Sequence, residues 1–187
     1  RRRELLGESV PSKEKIFSIY EDHTDIIVKG KREAEFGHKV NLTTGRSNIV
    51  LDVDIVKGNP SDSQLYEGVL DRIECNYEVT PRDVVTDGGY ASLKNQAKGK
   101  GVVNIVFNKI VGSLKNIVTS GNMETRLKKW RSGIEAVISN IKRGFAMHRC
   151  EWKGREHFDA KVLWSVIAYN IRVITRLLLP KLQQQSQ

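Results

Sequence analysis

Four residues of this sequence stand in patterns that could do chemistry on a phosphate: Asp87, Arg131, Glu135 and Lys142. Asp87 opens Asp87-Gly88-Gly89-Tyr90 directly after the short apolar run Asp83 to Thr86. A carboxylate at the C-terminal end of a strand points into a crevice, and glycines let the backbone turn sharply there. Read alone, however, Asp87 is better explained as a cap of the short helix that starts near Ala91. Arg131, Glu135 and Lys142 are separated by four and by seven residues, so at about 100° per residue they share one face of a helix. A glutamate in such a stripe is either a surface ion pair with Arg131 or a metal ligand flanked by phosphate-binding cations. With no second clue the ion pair is the better reading.

The elements that would position these groups follow from periodicity. Lys15 to Tyr20 and Asp25 to Val28 are short β-rich runs around a polar turn, and Phe36 to Thr44 alternates as a strand does. Gly45, Arg46 and Ser47 close a hairpin onto Asn48 to Val56, giving three or four antiparallel strands. Ser61 or Asp62 caps a helix that runs to about Cys75. Asp83 to Thr86, a short helix from Ala91 to Lys98 and the run Val102 to Phe107 then read as a parallel strand, helix, strand unit. Residues 108 to 121 read as a polar, basic, mobile loop. From Met123 to Arg143 apolar residues recur at three and four, and a last helix is expected from Phe158 to Leu179, ended at Pro180. The fold class is therefore α/β, with a mixed sheet and C-terminal helices. One domain is expected over 15–180, after the tail of an upstream element at 1–14 and before a polar tail at 181–187.

Composition sets the frame. A hydrophobic fraction of 39% with 28% charged residues is that of a globular protein, and the run Val162 to Leu179 is interrupted by polar residues, so it reads as an amphipathic helix and not a membrane span. The net charge of +9 favours a polyanionic partner, although charge alone gives nucleic acid only even odds. Between Lys109 and Arg155 there are eleven Lys or Arg against three Glu, so most of that surplus lies around the Glu135 helix. Trp130, Phe145 and Trp152 are interleaved there and could stack on a base, though each is better explained by packing, Trp130 above all. Cys75 and Cys150 lack metal spacing and read as reduced thiols, and His148-Arg149-Cys150 has no further zinc ligands at a suitable distance.

Taken together, Asp-x-Gly-Tyr at a strand end followed by Arg, three residues, Glu, six residues, Lys in a helix resembles the signature of bacterial insertion-sequence transposases with an Asp-Asp-Glu, RNase H-like catalytic domain. Phe36-Gly37-His38-Lys39-Val40 and Gly58-Asn59-Pro60-Ser61-Asp62-Ser63 are also similar to family members, and the resemblance runs from about residue 13 to 179. The resemblance implies that Asp87 and Glu135 are the second and third catalytic carboxylates and hold Mg²⁺ or Mn²⁺. It further implies that Arg131, Lys142, Lys128, Lys129 and Arg143 contact phosphates of double-stranded DNA, in a cytoplasmic protein that is nucleoid-associated when bound and could form a homo-oligomer. The pattern departs from the family at two points. Lys128 stands where a Tyr is usual, and no Asp followed by two hydroxyl residues precedes Asp87. The first carboxylate and its strand are therefore expected upstream of Arg1, with the 187-residue chain inactive by itself. Glu21, Asp22 and Asp52 are the local substitutes, each better read as a turn or strand-surface residue.

Overall fold

The computed structural model describes residues 5–7, 21, 23–27, 35–98, 101–108, 112 and 114–185. Lys15 to Tyr20, Asp22 and Val28 lie outside the described residues, as does most of the expected N-terminal tail. Six strands and four α-helices are present among those described: β1 (Asp25–Ile27), β2 (Glu35–Gly37), β3 (Val40–Thr44), β4 (Val50–Ile55), α1 (Asp62–Tyr77), β5 (Asp83–Thr86), α2 (Leu93–Lys98), β6 (Asn104–Phe107), α3 (Gly121–Gly144) and α4 (Arg155–Gln185). The strands form three separate pairs, β1 with β2, β3 with β4 and β5 with β6. The first two pairs are antiparallel and the third is parallel, so the order of hairpins followed by a strand, helix, strand unit is the one the periodicity predicts.

Local chemistry explains where the elements stop. The expected strand from Phe36 to Thr44 is two strands, because His38 and Lys39 leave the ladder and Gly37 sits at φ +156° between partners. At the start of α1 the Ser61 N–H is satisfied by the Gln64 side chain at 3.1 Å, and at its end Glu78 turns into the left-handed region with its N–H on Glu74 O. Ser120 caps α3, its hydroxyl accepting from Met123 N at 3.2 Å. The segment before α3 is more tied down than a mobile loop: Ile117 bridges Ile105, and Asn116 accepts from Phe107 N and donates to Glu124. Pro180 does not end the last helix, which continues to Gln185. Proline's fixed φ is helical, and where the surrounding face is open to water the one carbonyl it leaves without an amide partner can be hydrated.

The apolar interior is in two pieces. Val50, Val137, Ile141, Val166 and Tyr169 join β4 to α3 and α4, with Leu42 packed against them. Tyr66, Ile105 and Phe107 join α1 to β6, with Leu70 and Val84 at their margin. Helix α4 is long and apolar enough to cross a membrane by length and composition. Its polar residues instead tie it to the sheet. The Asn170 side chain accepts from Val50 N and donates to Val50 O, both at 2.9 Å, closing the outer edge of β4, and Tyr169 Oη donates to Asn48 O.

Candidate metal and phosphate site

Asp87 leaves the C-terminal end of β5 and accepts the N–H of Gly88 at 2.8 Å, capping the 3₁₀ turn Gly88–Tyr90. Glu135 lies at the middle of α3 and accepts from Arg131 Nη1 at 2.8 Å, one turn earlier. The ion-pair reading of Glu135 therefore holds. Asp87 caps the 3₁₀ turn and not the helix after it, where the Ser92 hydroxyl accepts from Asn95 N instead. The two carboxylates meet at Arg131, whose Nη2 lies 3.1 Å from Asp87 Oδ2, so one guanidinium holds both. The arginine side chain is 18% exposed, while those of Asp87 and Glu135 are 56% and 67% exposed. Two exposed carboxylates are thus bridged by one arginine, each through a different guanidinium nitrogen. Pairs this exposed are screened, and their contribution to stability is about 1 kcal/mol or less.

The turn after Asp87 is fixed from beneath. A Cβ on Gly89 would meet Asp62 Oδ2 at 2.5 Å, so a larger residue would displace the Asp62 carboxylate from its place at the start of α1. Asp62 in turn pairs with Lys39 Nζ at 2.5 Å, and Lys39 also donates to Pro60 O. Tyr90 Oη donates to Asn41 Oδ1 at 3.0 Å, and burial, reinforced by the negative charge of Asp62, pushes its hydroxyl up to about 12. Lys39, Asn41 and Asp62 are the contributors that sequence reasoning missed. The Asn-Pro-Ser-Asp run was legible as a helix start, but its contact with Gly89 joins residues far apart in the chain.

Of the five cations, Arg131 alone touches the two carboxylates. Lys142 is exposed two turns beyond Glu135 on α3 and lines a groove of about 1270 Å³ together with Lys39, Asp62, Tyr90, Arg149 and Lys153. Lys128 pairs with Glu124 at 2.6 Å, and Lys129 and Arg143 are exposed. Among the aromatics, Phe145 packs at the core under Arg172, Trp152 is 55% exposed, and Trp130 is half-buried on the face of α3 that looks at β5.

The described local substitutes for the first carboxylate, Glu21 and Asp52, are engaged elsewhere. Asp52 is buried and takes a bidentate contact from Arg72, at 3.0 Å and 2.8 Å. Glu21 accepts from Gly154 N, which holds its carboxyl below the usual range, and from His23 Nε2 at 2.7 Å. Among the described residues no cluster of three or more His, Cys, Asp or Glu is placed to hold a metal. His148 and Cys150 do not come together as a zinc site.

With fold and site in hand, comparison with known proteins places the chain in a class of DNA-rearranging domains. The family model described as "Transposase DDE domain" matches residues 22–171, most of the chain. This protein belongs to that family. No curated protein and no solved structure matches the chain.

Proposed function

We propose that this chain is the greater part of a transposase catalytic domain of RNase H-like topology, whose parent activity is divalent-metal-dependent hydrolysis and strand transfer at the ends of a transposable element. The observation that carries the reading is the convergence of Asp87 and Glu135 on one cation position, with Lys142 on the same helix. On this reading Asp87 and Glu135 hold Mg²⁺ or Mn²⁺, which supplies activation of a water or 3′-hydroxyl and stabilisation of the leaving oxygen at a DNA phosphate. Arg131 occupies that position when metal is absent and swings to a phosphate when it arrives, a role suited to its planar fork of donors. Lys142, Lys129 and Arg143 hold the duplex through its backbone, and Lys128 does so after release from Glu124. The first carboxylate comes from an upstream strand. A protein of this kind acts in the cytoplasm, on the nucleoid.

A second reading has its own support. With Glu21 and Asp52 engaged elsewhere, two carboxylates bind metal weakly, and the 187 residues alone bind DNA without turning it over. A protein extended upstream to include an Asp followed by two hydroxyl residues distinguishes the two readings. It should nick or join transposon-end DNA with Mg²⁺, and Glu135→Gln should abolish cleavage while leaving DNA binding within about twofold. Cleavage by Glu135→Gln at the parent rate would remove the third carboxylate from the account, and cleavage by the unextended chain would mean that a local residue completes the site.

A further inference from the structure

The face of α4 that looks away from the core carries a pattern of its own. Trp164, Ile167, Ile171, Ile174 and Leu178 recur at alternating steps of three and four, and each is between 41% and 65% exposed. With Trp164, Ile171 and Leu178 at a and with Ile167 and Ile174 at d, the five make an unbroken heptad seam. Buried Val162 and Tyr169 then fall at f, and Val166 and half-buried Val173 at c, so the domain packs on the side of the helix opposite the seam. Leu163 and Leu177, both exposed and both at g, widen the seam on one flank. These seven side chains leave roughly 600 Å² of apolar surface in water, at the top of the range for a monomer's largest patch and near the roughly 800 Å² per partner of a stable interface.

We propose that α4 pairs with α4 of a second copy of this chain, in parallel and in register, as a two-stranded coil from Trp164 to Leu178. A two-fold axis along the seam sets each of these side chains against its own counterpart, so a single apolar stripe is its own complement. Because each domain lies on the c and f side of its helix, the two bodies sit on opposite outer flanks of the pair. Charge sets the direction. Exposed Glu156 is at g and Lys161 is at e, five residues on, the spacing at which g of one strand meets e of the other in a parallel coil. Two symmetric pairs follow, with Lys161 turning from the Trp152 ring that it faces at 5.4 Å to Glu156 of the second copy. Antiparallel strands would carry these residues to opposite ends of the pair. Ser165 and Asn170, which tie α4 to Phe145 and Val50, lie outside the a and d positions, so pairing breaks none of those bonds. A bilayer fits α4 less well, since a span needs its whole circumference free and the c and f side is already covered. The pairing does not rest on the nuclease function proposed above.

Sedimentation equilibrium of the 187-residue chain at micromolar concentration should give the mass of two chains. Ile171→Glu, at an exposed position, should keep the far-ultraviolet spectrum of the parent and weaken association about thirtyfold or more. Glu156→Lys and Lys161→Glu should each weaken it about threefold, and the double exchange should restore it. Direction is read by cross-linking, with Cys75 and Cys150 changed to Ser. Ile167→Cys and Ile174→Cys should each form a disulfide with its own counterpart under mild oxidation, whereas an antiparallel pair brings together at most one of the two. Single chains at every concentration, a pair indifferent to Ile171→Glu, or self-cross-linking at only one of the two positions would overturn the proposal. So would a mass of three or four chains, and so would single chains that float with phosphatidylglycerol vesicles, which would assign the face to lipid.

Discussion

Arg131 is the residue on which the site turns. Its guanidinium joins a helix glutamate to a strand-end aspartate, and the sequence spacing disclosed only half of that arrangement. The four-residue step to Glu135 was readable because a helix repeats in 3.6 residues; the reach to Asp87 was not, because no periodicity relates a strand end to a helix about forty residues later. Arg131→Ala should change stability by about 1 kcal/mol or less, read by chemical denaturation, since both carboxylates are more than half exposed. Affinity for duplex DNA, read by fluorescence anisotropy, should fall at least threefold. A large loss of stability with DNA affinity unchanged would make Arg131 a structural clamp only.

At the scale of elements, the hairpin β1–β2 is latched to the start of α4 through a chain of side chains that no local pattern announces. His38 Nε2 lies 2.8 Å from His23 Nδ1, His23 Nε2 lies 2.7 Å from Glu21, and Gly154 N donates to the same glutamate. Arg155 Nη1 approaches His38 Nδ1 at 3.3 Å and Asp25 Oδ2 lies 3.2 Å from it. Burial depresses the affinity of His38 for a proton, opposed by the hydrogen bond to Asp25 and helped by the positive charge of Arg155. A group whose proton affinity is lowered by folding adds stability above its unfolded pKa of 6.5, and that stability is lost as pH falls through the folded value. Unfolding midpoints should thus drop as pH falls below 6.5, and His38→Gln should flatten that dependence; an unchanged slope in the variant would rule out His38 as its source. The helix starts, the β3–β4 hairpin and the parallel β5–β6 pair were legible from caps, turns and apolar runs. The break at His38 and the passage of α4 through Pro180 were not, since long-range contacts decided the first and solvent exposure the second.

For the whole molecule, charge and fold point the same way. Arg131 holds the two carboxylates, and Lys142, Arg149 and Lys153 line one groove with Lys39. Each phosphate contact releases counterions, so the plot of log affinity against log salt for a DNA duplex should lose a slope of about 1 on Lys142→Ala. An unchanged slope would place the duplex elsewhere. Composition disclosed the polyanionic partner only in part, since a net charge of +9 does not say which face carries it. The division of the apolar interior into two pieces could not be foreseen from apolar periodicity, which reports which residues are buried but not which strands adjoin. The central claim is that Asp87 and Glu135 form one divalent-metal site. It is tested most directly by loading the 187-residue chain with Fe²⁺ in place of Mg²⁺ and mapping where peroxide and ascorbate cut the polypeptide. Cuts should cluster around Asp87 and around Glu135, be suppressed by excess Mg²⁺ and vanish when both residues are changed to their amides; cuts elsewhere, or cuts that survive those substitutions, would contradict it.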